Sequence, residues 1–128
     1  EMTSSLVGSE MCIRDSYYVE DLRHKEQEQI RIMLLNTKGA LIRDVLISQG
    51  TVNSSVVSPR EIFLEALKYH AVNLILVHNH PSGDPEPSRE DILLTRRVEE
   101  AGRVIGIPVL DHIIIGDGTY VSMKERGL

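Results

Sequence analysis

Two histidines, one residue apart, close an apolar segment in the stretch LILVHNHPSGDPEPSREDILL, residues 74–94. A serine and an aspartate, Ser88 and Asp91, follow at the start of a helical pattern. Side chains on one face of a strand recur every second residue, so His78 and His80 point to the same side if the strand continues between them. Asp91 supplies a third, anionic ligand if the loop returns the helix to the strand end. The spacing therefore predicts a metal site.

Two imidazole nitrogens and one carboxylate, with a fourth position left for water, are the ligands of a catalytic zinc centre. A closed structural site needs a fourth protein ligand, and none is obvious in the sequence. The single Cys12 has no cysteine partner for a disulfide or a thiolate zinc site, and we interpret it as a spare thiol. We therefore expect Zn²⁺ as the cofactor. Zinc lowers the pKa of a bound water to about 7 and so makes amide hydrolysis feasible at neutral pH.

Ser88 and Asp91 also suit an ordinary helix start, in which the serine caps the helix and the acid complements its dipole. That interpretation needs no ligand, but it does not explain the paired histidines. Two other chemistries are disfavoured. The adjacent letters HNH are not the nuclease motif, whose residues are spread over a longer segment. A zinc deaminase needs H-x-E with a later P-C-x-x-C, which a single cysteine excludes.

Asp111 and His112 lie in an otherwise apolar segment, where an unpaired charge is costly. One interpretation is a pair that orients a zinc histidine. The other, which we favour, is a structural pair that satisfies its own hydrogen bonds. His24 and His70 are expected on helix surfaces and receive no role.

Hydrophobic spacing predicts the elements that must position these residues. They are a helix over 17–29, strands over 30–36 and 40–48 that form a hairpin, a helix over 58–71, a strand over 73–77, a helix over about 89–101, and a final strand, Asp-Gly turn at 117–118 and strand within 107–123. This order predicts a mixed sheet with helices packed against it, an α/β sandwich.

The helix over 58–71 is expected to begin with Ser58 as N-cap, Pro59 at its first position and Glu61 completing a capping box. Its apolar residues at helical spacing should face the sheet: Ile62, Phe63, Ala66, Leu67 and Ala71. Gly102 is expected at the C-terminal end of the next helix.

Composition narrows the class of protein. At 128 residues and 41% hydrophobic content, the chain suits one domain with a real core. A net charge of −5 provides no basic field for phosphates, so direct nucleic-acid binding by this domain is disfavoured. Apolar runs fall far short of the roughly 20 residues that span a bilayer. Residues 1–16 lack a secretory signal pattern, so we expect a cytoplasmic location and no membrane partner.

The pattern His78-x-His80-x7-Ser88-x2-Asp91 resembles the metal signature of the JAMM metalloproteases, the MPN+ or JAB-domain superfamily. The segment HNHPSGDPEPSRED is similar to its bacterial RadC branch, which is named for DNA repair. The resemblance runs from about residue 20 to the C-terminus, through LLNTKG, SPREIF, HNHPSG and VLDHIIIG. It implies a cytidine-deaminase-like (JAB/MPN) sandwich, zinc held by both histidines and Asp91, and a Ser88 that assists the zinc water or the oxyanion.

A zinc hydrolase also needs a group that takes the proton of water and returns it to the leaving amine. The resemblance implies an upstream glutamate for this role. Glu28 matches its place, just before the first strand, and has the same strand parity as Ile30 and Ile32. Glu26 is the alternative, since it lies on the same side if the backbone is extended. Without the resemblance, either acid is interpreted as a solvated charge.

The expected organisation is an unassigned lead-in over residues 1–16, foreign or disordered, followed by a RadC-like JAB/MPN domain over 17–128. Full-length RadC chains carry an upstream helix-hairpin-helix region, so this chain looks like a fragment. The expected function is zinc-dependent hydrolysis of an amide or isopeptide bond in a peptide or protein substrate. The alternative is a non-catalytic DNA-repair accessory or protein-interaction module with structural zinc or none. The sequence decides neither the substrate nor the oligomeric state.

Overall fold

The computed structural model describes residues 27–50 and 57–128. Its elements are β1 (Gln29–Leu35), β2 (Leu41–Gln49), α1 (Pro59–Lys68), β3 (Asn73–Asn79), α2 (Arg89–Ile105), β4 (Val109–Ile115) and β5 (Tyr120–Ser122). The order of these elements confirms the prediction for this part of the chain, including the hairpin of β1 and β2 and the Asp-Gly turn, where Gly118 has a φ of +72°.

One five-stranded mixed sheet carries the fold, with the strand order β2-β1-β3-β4-β5. Among the strands of residues 27–50 and 57–128, only β3 and β4 pair in parallel, and α2 connects them. The other neighbours pair antiparallel. The predicted α/β class with a mixed sheet is therefore confirmed, and β3 lies at its centre.

Alternation along β3 divides the core into two layers. One face, which carries Leu74 and Leu76, packs against Ile62 and Phe63 of α1 and against α2. The opposite face contains a second buried cluster made of Met33, Leu35, Ile75, Val77, Ile113 and Ile115. Burial on both faces explains why β3 is continuously apolar, as predicted. Because His78 has the parity of Leu74 and Leu76, it faces the helices.

Helix α1 is capped at Ser58, whose hydroxyl accepts the N–H of Arg60 at 3.1 Å. The predicted capping box does not form here, because the N–H of Glu61 donates to the Ser58 carbonyl instead. The helix ends at Lys68, since Tyr69 leaves helical geometry and His70 has a left-handed φ of +58°. The predicted inward face is confirmed except for Leu67, which is 54% exposed because it falls outside the stripe of Ile62, Phe63, Ala66.

Helix α2 continues four residues beyond the predicted end, to Ile105. The C-cap is Gly106, with a left-handed φ of +91°, and its N–H donates to the carbonyl of Gly102. Gly102 is an interior residue, so the prediction that it ends the helix was wrong. A Cβ on Gly102 would lie 2.5 Å from the carbonyl oxygen of Ile107 and 3.3 Å from the Phe63 ring. Glycine is needed there for close packing rather than for termination.

The first predicted helix, over 17–29, lies mostly outside the described residues, as do Cys12, His24, Glu26 and the lead-in. Its predicted C-terminal end was wrong, since Gln27 and Glu28 are not helical and Gln29 begins β1. Backbone pairing explains the difference: the N–H of Gly50 donates to the carbonyl of Glu28 at 2.9 Å. Neither α1 nor α2 has the length and apolar character that a bilayer crossing requires. The cytoplasmic location stays a prediction.

Candidate metal centre

The two histidines meet at the end of the central strand. The strand continues through Asn79, and the N–H of His80 still bonds the carbonyl of Ile115 at 2.8 Å. The rings of His78 and His80 lie edge to face, with centroids 4.8 Å apart. His78 is buried, whereas His80 lies nearer the surface. The structure therefore brings the two imidazoles together at the helix-covered face of the sheet.

Asp91 lies against both rings from the first turn of α2. Its Oδ1 is 3.1 Å from Nδ1 of His78, and its Oδ2 is 3.0 Å from Nε2 of His80. The same carboxylate accepts the N–H of Ser88 at 2.8 Å, while the Ser88 hydroxyl accepts the N–H of Asp91 at 3.1 Å. The helix cap and the histidine contacts are therefore made by one carboxylate at once. The two interpretations of the sequence are compatible.

Glu28 approaches from the opposite side, just before β1. Its Oε2 lies 3.2 Å from Nε2 of His78. Glu28, His78 and His80 each offer one ligand atom, and these atoms lie within 4.8 Å of one another. This group can hold a metal ion, and Asp91 contacts both of its histidines. The structure thus brings together Glu28, His78, His80 and Asp91, which the sequence had singled out.

The electrostatics of this cluster balance two acids against two bases. Burial alone raises the pKa of Asp91, but the two histidines outweigh it and hold that pKa well below its ordinary value. Burial alone lowers the pKa of His78, but the carboxylates of Asp91 and Glu28 outweigh it, so the pKa is raised. The contact with Asp91 raises the pKa of His80. The cluster therefore favours positive charge between the carboxylates, as a proton or as a cation.

The donor atoms fit a zinc ion. The carbonyl of Asp84 can only accept, so Nδ1 of His80, 2.9 Å away, carries the hydrogen. With one hydrogen on Nδ1, Nε2 of His80 can donate to the Asp91 carboxylate only if the ring carries a second proton and is cationic. A divalent ion bound between Nε2 and the carboxylate would satisfy both groups without that proton. Among the described residues, the buried Nδ1 of His78 has no hydrogen-bond partner, although it lies 3.1 Å from Oδ1 of Asp91. Nitrogen and carboxylate donors with a hydrogen-bonded second ring nitrogen are typical of zinc sites.

Comparison with known proteins places this arrangement in a family. The sequence model of one protein family, described as the RadC-like JAB domain, matches residues 12–128. The chain belongs to the RadC-like JAB domain family. It is 57% identical over 111 residues to a UPF0758 protein of Clostridium botulinum strain Hall, and 58% identical over 110 residues to a UPF0758 protein of Desulforamulus reducens. These alignments cover 85% and 86% of this chain and 48% of each relative.

The chain of this RadC-like JAB domain thus spans about half the length of the curated relatives it matches. Neither relative's name states a reaction. The family resemblance inferred from the motif is confirmed, whereas the assignment of individual residues to metal binding and catalysis stays a prediction. The structure shows Ser88 as a helix cap. Its role toward the zinc water or an oxyanion also stays a prediction.

Asp111 in the RadC-like JAB domain has a structural role. Its carboxylate accepts the Ser122 hydroxyl at 2.5 Å and the backbone N–H groups of His112 and Lys124 at 2.7 and 2.9 Å. The bonds from Ser122 and Lys124 tie β4 to the end of β5 and to the residues that follow it. The favoured interpretation of a satisfied structural pair is therefore confirmed for Asp111 but not for its neighbour His112, whose buried Nε2 has no hydrogen-bond partner among the described residues.

His112 lies behind the candidate centre, where its ring stacks on His78 with centroids 5.9 Å apart. The hydroxyl of Thr95 donates to the carbonyl of Asp91 at 2.8 Å, and its oxygen lies 2.6 Å from Nδ1 of His112. Burial lowers the pKa of His112 to about 3, so the ring is neutral in the folded protein. The sequence reasoning missed Thr95, although its position four residues after Asp91 places both on one helix face.

Proposed function

We propose that this RadC-like JAB domain is a zinc-dependent hydrolase of amide or isopeptide bonds in a peptide or protein substrate. The observation that carries the proposal is the carboxylate of Asp91, which caps α2 and contacts both His78 and His80, with Glu28 on the other side of His78. His78, His80 and Asp91 would hold the ion. A bound zinc ion acidifies a water molecule and polarises a carbonyl.

The different surroundings of the two carboxylates support different roles. The Asp91 side chain is 5% exposed and is engaged by Ser88 and by both histidines, so it cannot readily take up a proton. The Glu28 side chain is 28% exposed, and its Oε2 lies 3.2 Å from Nε2 of His78. A general base must lie within hydrogen-bond reach of the reacting water and must be able to take up its proton. We therefore assign proton transfer to Glu28 and metal binding to Asp91.

Ser88 is the proposed oxyanion donor. Its hydroxyl oxygen accepts the N–H of Asp91, which leaves the hydroxyl hydrogen available to a developing negative charge. Loss of one such donor typically lowers the rate by about 10²- to 10³-fold. Because the same hydroxyl caps α2, its catalytic and structural contributions must be separated by measuring rate and stability together.

Zinc content and hydrolysis together test the proposal. The native chain, His80→Ala and Glu28→Gln are purified without added chelator and assayed for bound zinc. Each is then incubated with internally quenched peptides, a lysine-linked isopeptide and duplex DNA. We expect zinc in the native chain and in Glu28→Gln but not in His80→Ala, and peptide or isopeptide hydrolysis in the native chain only.

Three results would overturn the hydrolase. The first is a native chain without zinc. The second is DNA cleavage that Glu28→Gln leaves unchanged. The third is a zinc-loaded native chain that cleaves none of the amide probes, which would favour the non-catalytic accessory or interaction module.

A further inference from the structure

Asn79 lies between the two histidines and is 1% exposed. By strand parity its side chain leaves the opposite face of β3 from His78 and His80, so it does not belong to the histidine pair. A buried amide needs hydrogen-bond partners for both its oxygen and its nitrogen. Those partners show what this residue does.

Both partners are backbone groups of the segment that carries Glu28. The side-chain oxygen of Asn79 accepts the N–H of Gln29 at 2.6 Å, and its side-chain nitrogen donates to the carbonyl of Gln27 at 3.2 Å. Gln29 can only donate through its N–H and Gln27 can only accept through its carbonyl, so the orientation of the amide is determined. The two bonds bracket Glu28.

The amide continues the sheet where backbone pairing stops. The ladder between β1 and β3 ends at the pair Ile30 and His78. Beyond this pair, the side chain of Asn79 takes the place of a strand backbone, offering one acceptor and one donor to the chain entering β1. Because β3 also carries both histidines, the position of Glu28 is tied directly to the strand that carries them.

We propose that Asn79 is a positioning residue that holds Glu28 against His78. The inference rests on the proposed function in one respect, which is that Glu28 acts at the metal centre. Among common side chains of this size, only asparagine combines an acceptor and a donor in a planar group. An alanine removes both bonds, and an aspartate keeps the acceptor and loses the donor.

The two hydrogen bonds from the Asn79 side chain to Gln27 and Gln29 are called the clamp below. The hydrogen exchange of backbone amides tests this clamp without any metal. In Asn79→Ala, we expect the Gln29 N–H to exchange at least about tenfold faster, because loss of one partner leaves a buried group unsatisfied. In Asn79→Asp, we expect it to stay within about threefold of the native rate. Gln49→Ala is the matched control, since it removes a side chain that donates to the exposed side-chain oxygen of Gln27 at 2.9 Å and keeps the backbone pairing of Gln49 with Gln29. Unchanged exchange of Gln29 in Asn79→Ala would overturn the clamp.

A double-mutant cycle in the Co²⁺-loaded protein tests whether the clamp acts through Glu28. The visible absorption of bound Co²⁺ responds to groups around the ion. We expect Asn79→Ala to reproduce the spectral change of Glu28→Gln, and the double variant to show no further change. Ser122→Ala, which removes a buried hydrogen bond to Asp111, controls for loss of stability and should leave the spectrum native.

Additive spectral changes in the double variant, or an equal change in Ser122→Ala, would show that Asn79 is only structural and would overturn its positioning role. Failure of the hydrolase proposal gives a different result. In that case Co²⁺ does not bind, or the native chain cleaves no amide, while the exchange of Gln29 still responds to Asn79→Ala.

Discussion

The backbone N–H of Ser88 donates to Oδ2 of Asp91, and that same oxygen lies 3.0 Å from Nε2 of His80. A helix cap and a candidate metal ligand are thus a single atom. The reciprocal bond from the Asp91 N–H to the Ser88 hydroxyl completes a capping box, which fixes the carboxylate before any ligand arrives. Formation of α2 therefore preorganises the centre.

The cap at Ser88 should affect stability and zinc affinity together. Ser88→Ala removes the hydroxyl that accepts the Asp91 N–H, and such caps contribute about 0.5–2 kcal/mol to the free energy of unfolding. We expect a loss of that size in urea unfolding, together with weaker zinc binding in a chelator competition assay. Ser58→Ala is the matched control, because Ser58 caps α1, a helix that carries none of the candidate metal ligands. Equal zinc affinities in the two variants would contradict the coupling.

The metal-free domain should lose stability as pH rises above about 6.5. Burial lowers the pKa of His78, but the carboxylates of Asp91 and Glu28 outweigh it and raise that pKa above 6.5. The contact with Asp91 raises the pKa of His80 above 6.5 in the same way. Their contribution is fully present below the unfolded value of about 6.5 and is lost as pH rises through the folded values. Urea unfolding with chelator, from pH 6.5 upward, should show this decline.

Zinc binding should have the opposite dependence over the same pH window, because the ion requires deprotonated imidazoles. Zinc affinity is therefore expected to rise as the two histidines lose their protons. His80→Gln should weaken both trends. A flat zinc affinity, or a metal-free stability that increases with pH, would refute the linkage.

The loop between His80 and α2 packs closely against Gly116, which directly follows β4. A Cβ on Gly116 would lie 2.3 Å from the carbonyl oxygen of Gly83 and 2.8 Å from Cδ of Pro85. We expect Gly116→Ala to displace this loop, to cost about 1–3 kcal/mol of stability and to weaken zinc binding. Gly118→Ala is the control: it strains a φ of +72° but meets nothing within 4 Å. Calorimetric zinc titration of both variants distinguishes them, and equal losses would disprove the loop contact.

Hydrophobic period was sufficient to predict the described strands and both helices, the metal motif predicted that His78, His80 and Asp91 converge, and the family resemblance added Glu28. Hydrophobic periodicity does not predict the end of a helix or the start of a strand where contacts with distant residues determine that boundary. Gly102 looks like a helix end, but it is kept by the close approach of Ile107, and the true C-cap is Gly106. Charge density suggested a helix up to Gln29, whereas pairing with the side chain of Asn79 and with Gly50 draws that segment into the sheet.

The double role of Asp91 was beyond sequence reasoning for a similar reason. A capping acid and a ligand have the same sequence pattern, and only the position of α2 over the end of β3 makes one carboxylate do both. The sequence also gives no sign of the hydrogen bonds made by the Asn79 side chain, because its two partners are backbone groups about 50 residues away in the chain.

A crystal structure of the zinc-loaded domain, with anomalous data at the zinc edge, decides which residues hold the ion. We expect one anomalous peak at about 2.0–2.2 Å from a nitrogen of His78, a nitrogen of His80 and an oxygen of Asp91, with Glu28 outside bonding distance. A peak bound by Glu28 in place of Asp91, or no peak between the histidines, would contradict this expectation.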